Sequence, residues 1–163
     1  MKKMRKIFAV LLTLAMVLTM SMTAFATSNA NAGNDNIFGT VDDTATITVT
    51  GIDNETGIQV NAYKVVEAKY EGTGSTFSGY KSLYPTVITQ DMVKANLTTL
   101  SPTQLNELAN AVIANTSKTA IALSNTEGTT WTANVSAGTY LVLVSNTEAH
   151  SYNPMVVSAY YIN

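Results

Sequence analysis

The sequence predicts a mainly β protein, an immunoglobulin-like β-sandwich with a helical insertion at about residues 89–116. Three observations carry this. Short runs rich in β-branched and aromatic residues recur between clusters of Gly, Asn, Asp and Ser, the pattern of many short strands joined by turns. The last quarter holds two apolar runs, Tyr140 to Val144 and Met155 to Ile162, split by Asn153-Pro154. Both are apolar on consecutive as well as alternate positions, which predicts paired central strands covered on two sides. Only one stretch, between the early and late strands, shows the 3.6-residue apolar spacing of helices.

Residues 1–26 stand apart as a secretory signal peptide. Lys2, Lys3, Arg5 and Lys6 form a basic head, Ile7 to Val17 an apolar stretch, and Ala24-Phe25-Ala26 a small-x-small processing site, so cleavage is expected between Ala26 and Thr27. Thr13, Thr19 and Ser21 interrupt the apolar run, which argues against a retained membrane anchor. Residues 27–43 are polar and Gly/Asn-rich, with only Ile37, Phe38 and Val41 to bury, and read as a flexible lead-in. The sandwich domain is then expected over residues 44–163.

Thr44 to Gly51 alternates, with Ala45, Ile47 and Val49 on one face and threonines on the other, as a half-buried strand does. Asp53-Asn54-Glu55-Thr56-Gly57 supplies turn chemistry. Ile58 to Tyr70 is the next strand, and its apolar face contains Lys64. Gly72 to Gly79 reads as a loop, and Tyr80 to Ile88 as irregular or weakly extended around Pro85. Thr89 can cap a short helix from Gln90 to about Leu97. Ser101-Pro102-Thr103-Gln104 has the capping Ser, the first-turn Pro and the Gln three residues after the cap that open a helix. Leu105, Leu108, Ala109, Val112 and Ile113 give that helix, ending near Thr116, one buried face. Strands at Thr119 to Leu123 and Thr129 to Val135 follow, the second centred on Trp131, and Ser136-Ala137-Gly138 turns into the terminal pair.

Charge and composition narrow the function. The 163 residues carry 9 basic and 11 acidic side chains. Removing residues 1–26 takes away four of the basic ones and none of the acids, leaving five against eleven, a net charge of −6 on 137 residues. A nucleic-acid partner needs the opposite sign. There is no Cys, so an exported domain of this kind depends on its core or on another covalent device. The sequence has no nucleophile elbow, zinc-protease helix or phosphate loop. His150, the single His, falls in a polar connection where a solvated side chain is expected. Asp42-Asp43, or Glu148 with His150, are too sparse for a metal. No catalytic residue, metal or cofactor is predicted. Lys64 poses the one chemical question, because an ammonium on an apolar face must reach the rim, pair with an acid or lose its charge.

The phrases ATITVTG, VNAYKVVEA, AGTYLVLVSN and YNPMVVS, in that order between Thr44 and Asn163, resemble the N-terminal domain of Gram-positive fimbrial major subunits, the sortase-assembled pilins. The resemblance implies a secreted, non-enzymatic structural or adhesive domain at the bacterial surface or cell wall, with neighbouring pilin subunits and the sortase machinery as partners. It also implies a candidate self-formed isopeptide bond at Lys64, with Asn146, Asn153 or Asn163 as acceptor and Glu148 or Glu107 as the promoting acid. A desolvated neutral Lys is a nucleophile, and a protonated acid polarises the amide it attacks. The Tyr-Pro-Lys and Leu-Pro-x-Thr-Gly assembly motifs of such pilins are missing: Tyr84-Pro85-Thr86 has Thr for Lys. The expectation is therefore a truncated reading frame or a single-domain relative. Two rivals stand beside it: a module binding host glycans or another surface ligand through Tyr80, Tyr84 and Trp131, and a secreted hydrolase using His150 or paired acids.

Overall fold

A computed structural model describes residues 24–28, 44–72, 76–94, 100–147 and 150–159. The chain is mainly β, in two antiparallel sheets. Its strands are β1 (Ala24–Ser28), β2 (Thr44–Val49), β3 (Gln59–Glu71), β4 (Thr76–Ser82), β5 (Ala120–Ala122), β6 (Ser124–Glu127), β7 (Thr130–Ser136), β8 (Gly138–Ser145) and β9 (Met155–Ala159). Two helices, α1 (Gln90–Lys94) and α2 (Pro102–Ala114), lie between β4 and β5. The first sheet runs β1-β2-β7-β6. The second runs β4-β3-β8-β9, with β5 also paired to β3.

The alternation read in the sequence places the core. Ala45, Ile47 and Val49 of β2 and Trp131 and Val135 of β7 face Val60, Ala62, Tyr140, Val142 and Val157 of the second sheet, and all are buried. Because side chains alternate along a strand, the intervening residues of β8 point the other way. Leu141 joins Val65 and Val66 under Ile88, just before the helical insertion, and Val93, Leu108, Ala109 and Val112 within it. β8 is thus covered on both faces, as its unbroken apolar run predicts. The final strand differs from expectation: β9 ends the second sheet, and β1 of the first sheet lies against it.

The insertion starts where its caps predict. Ser101 Oγ accepts from the Gln104 amide while Gln104 Oε1 accepts from the Ser101 amide, and Thr89 Oγ1 accepts from the Met92 amide. Leu108, Ala109 and Val112 are buried as the spacing requires, but Ile113, read as part of that face, is 59% exposed. A helix this short buries a narrow stripe, and Ile113 falls at its edge.

Strands also form at segments not read as strands. β4 overlaps the stretch read as a loop and the start of the one read as irregular or weakly extended, pairing with Val66 to Glu71 of β3. Polar β6 pairs with β7. Ser136-Ala137-Gly138 turns the chain as expected, carrying it from one sheet into the other. β1 spans the expected processing site, pairing Ala24, Ala26 and Thr27 with Val49, Ile47 and Thr46. The basic head and apolar stretch of the signal peptide, the lead-in from residue 29, the residues after Lys94 up to 99, Glu148 and Tyr160 to Asn163 lie outside the described residues.

Candidate functional site

Lys64 reaches the corner where the chain changes sheets. Val60, Ala62 and Lys64 share the face of β3 that looks into the sandwich, and at Val65 the register with β8 shifts, Lys64 opposing Tyr140 and Val66 opposing Thr139. This is a bulge, one extra residue on the longer strand. It sends Val65 and Val66 to the helical side and leaves Lys64 as the last side chain of its row. The Val65 carbonyl accepts from the Leu83 amide at 2.9 Å, so the bulge leaves that oxygen satisfied. Gly138 packs onto it: with φ at 149°, a Cβ there would stand 2.4 Å from the Val66 carbonyl oxygen.

The Lys64 amine donates to Ser136 Oγ at 2.5 Å, joining β3 of one sheet to the end of β7 in the other. It also lies 5.5 Å from the centroid of the Tyr140 ring, within cation–π reach. The Tyr140 hydroxyl donates to the Ser136 carbonyl at 2.8 Å. Burial pushes the Lys64 amine below its ordinary value, with the Glu67 carboxylate partly opposing. Burial raises the Tyr140 phenol, with the Ser136 hydrogen bond opposing.

Of the acceptors named for Lys64, Asn146 follows Ser145, whose partner on β3 is Gln59, five residues before Lys64. At about 3.3 Å per residue that is most of a strand length, and the structure does not bring the two together. Asn146 is exposed and takes a left-handed turn with φ at 60°. Glu107 is exposed on α2. Asn163 and Glu148 belong to the residues outside the description.

A second cluster was not readable from spacing. The loop after β2 carries Asp53 and Glu55, and the segment before β9 carries His150 and Tyr152. His150 Nδ1 lies 3.2 Å from Glu55 Oε1 and 3.4 Å from Asp53 Oδ2. One ligand atom from each of the three residues falls within 4.8 Å of the others. Tyr152 steadies the pair of loops: its hydroxyl accepts from the Asp53 amide at 3.1 Å, and its ring centroid is 6.3 Å from that of His150. Burial raises the Tyr152 phenol, assisted by the Asp53 and Glu55 charges.

The aromatics proposed for ligand binding are spoken for differently. Trp131 is buried, 6% exposed, and its indole N–H donates to the Ile52 carbonyl at 2.9 Å. Tyr80 and Tyr84 pack against the cluster beneath the helices. Beside them, Tyr63, Leu83, Tyr84, Asn115, Lys118 and Ile121 line an open groove of about 500 Å³.

The sequence pattern of the T6 antigen Ig-like domain matches residues 42–163, from two residues before β2 to the last residue. The chain belongs to this family. The matched segment of the T6 antigen Ig-like domain contains both sheets except β1, both helices and both clusters just described. No curated protein and no solved structure shows a match to the chain. Among the described residues, no helix is long and apolar enough to cross a membrane.

Proposed function

We propose that this T6 antigen Ig-like domain is a secreted, non-enzymatic structural module of a Gram-positive cell surface, working as the N-terminal domain of a pilus shaft subunit works. The family match across residues 42–163 carries this reading, and the strand phrases shared with sortase-assembled pilins extend it from surface domain to shaft.

The physical task of such a module is to transmit load without opening. In a sandwich the vulnerable seam lies between sheets, and here polar contacts to Ser136 span it in addition to the apolar core. Lys64 donates to Ser136 Oγ across 72 residues of sequence, and the Tyr140 hydroxyl of β8 donates to the Ser136 carbonyl of β7. Both bonds are partly sheltered from water, where hydrogen bonds hold best. The partners of the reading are neighbouring subunits and the sortase that joins them. Trp131 in the core and Tyr80 and Tyr84 packed against the helical layer support packing roles for these aromatics.

The test is a denaturing blot of the wall fraction and culture medium of producing cells, with an antibody against residues 101–116. A boiling-resistant ladder of high-mass species in the wall is expected. A single band at the mature mass, confined to the medium, would overturn the shaft role and leave a free secreted domain.

A further inference from the structure

We propose that Asp53, Glu55 and His150 form a divalent metal site of zinc type that fastens the loop after β2 to the segment before β9. The argument begins with distances. Two ligand atoms bound to one ion at about 2.1 Å with tetrahedral angles are separated by roughly 3.4 Å. His150 Nδ1 stands 3.2 Å from Glu55 Oε1 and 3.4 Å from Asp53 Oδ2, so both edges that meet at the imidazole already have the span a single ion requires. The three ligand atoms all fall within 4.8 Å of one another. Inward adjustment of a carboxylate would complete the third edge.

The donor set selects the ion class. One imidazole nitrogen with two carboxylate oxygens suits Zn²⁺ and its first-row neighbours, whereas Ca²⁺ and Mg²⁺ prefer all-oxygen shells. With three protein ligands, a fourth position remains for water. The ligands are supported from outside as well. Tyr152 receives the Asp53 amide and sets its ring beside His150, which limits the movement of both loops and so the entropy lost on binding.

A metal there has a structural consequence. Asp53 and Glu55 lie between β2 of one sheet and β3 of the other, and His150 lies between β8 and β9. The ion would therefore close a chain loop of nearly one hundred residues, from 53 to 150, in a protein without Cys. Long closures of this kind restrict the unfolded chain most.

This site is independent of the pilus reading, and its test separates the two. The exported chain, purified without a histidine tag and stripped with chelator, is titrated with ZnCl₂ by calorimetry, and its thermal midpoint is followed with and without metal. One Zn²⁺ per chain is expected, with a midpoint that climbs with free metal. Mg²⁺ at the same concentration leaves it unmoved. Because His150 is the only His, its ring resonances alone report imidazole coordination and should shift on binding. The variants His150→Ala and Asp53→Asn/Glu55→Gln should each weaken binding by at least about tenfold, the least that even outer-shell changes cost a metal site, while retaining the metal-free midpoint of the parent within a few degrees. Zinc bound equally well by His150→Ala, or a parent chain that binds none, would overturn the site. So would binding that leaves the His150 resonances in place.

Discussion

The Lys64 amine, held by Ser136 Oγ and lying over the Tyr140 ring, makes the stability of the domain depend on pH in a direction that can be derived. Burial lowers its pKa from 10.5 in the folded state, so over the window between the folded value and 10.5 the unfolded chain binds more protons. Stability contributed by this group therefore rises with pH through that window. Tyr140 and Tyr152 act in the opposite sense. Their phenols are raised above 10.0 on folding, so past that pH the unfolded chain releases protons first and stability falls. Lys64 is thus read cleanly in mild alkali, below the tyrosine range. The urea midpoint of the parent should climb through mild alkali as the pH rises toward 10.5, with a slope well under the one-proton ceiling of about 1.4 kcal/mol per pH unit because Lys64 is half-buried and screened. Lys64→Met should flatten that climb while leaving the Tyr140 hydroxyl on the Ser136 carbonyl. Parallel profiles for the two proteins would show that Lys64 keeps an ordinary pKa.

The bulge in β3 fixes Gly138, and with it the crossing from β7 to β8. Gly138→Ala would place a methyl 2.4 Å from the Val66 carbonyl at a φ of 149°, combining a clash with backbone strain, and should cost roughly 2–4 kcal/mol. Gly128→Ala is the control. Its φ of 53° is also left-handed, but nothing lies within 4 Å of the added carbon, so about 1 kcal/mol is expected. Equal losses in a denaturant series would mean that conformation alone, and not the bulge, requires Gly138. The same elements show what the sequence made legible. β2 and β8 announced themselves because their side chains carry the burial, and α2 because Ser101 and Gln104 cap it in sequence-local fashion. β6 did not: Asn125 and Thr126 offer no apolar face, and it forms through backbone pairing to β7. β4 carries Phe77 against Tyr70 and Tyr80 against the helical core, but Ser78 and Gly79 break its alternation, so its pairing to β3 was not legible. Lys64 stood out because it broke an apolar row. Its partner Ser136 lies 72 residues away, and His150 is 95 residues from Glu55, separations that only the sheet topology closes.

Across the whole molecule, the second sheet divides two cores that share its strands. Tyr140 and Val142 of β8 fill the space between the sheets, and Leu141 fills the space beneath the helices. Val60 and Val65 do the same for β3. Neither core can lose its packing without loosening the strands that wall the other, so the two should melt together. The chain supplies separate reporters for them. Trp131, the single Trp, sits in the inter-sheet core with its indole bonded to Ile52, and α1 and α2 cover the other. Urea unfolding followed by Trp131 fluorescence and by helical circular dichroism should therefore give coincident curves, as expected of one cooperative unit. Leu108→Ala, which empties a fully buried position under α2, should lower both curves together by about 2–5 kcal/mol. A helical signal lost well before the fluorescence change would assign the insertion to a unit of its own. In that case the shared strands β3 and β8 would hold the sandwich without the helical layer, and the load path between sheets would run through the inter-sheet core and the Lys64 and Tyr140 contacts to Ser136.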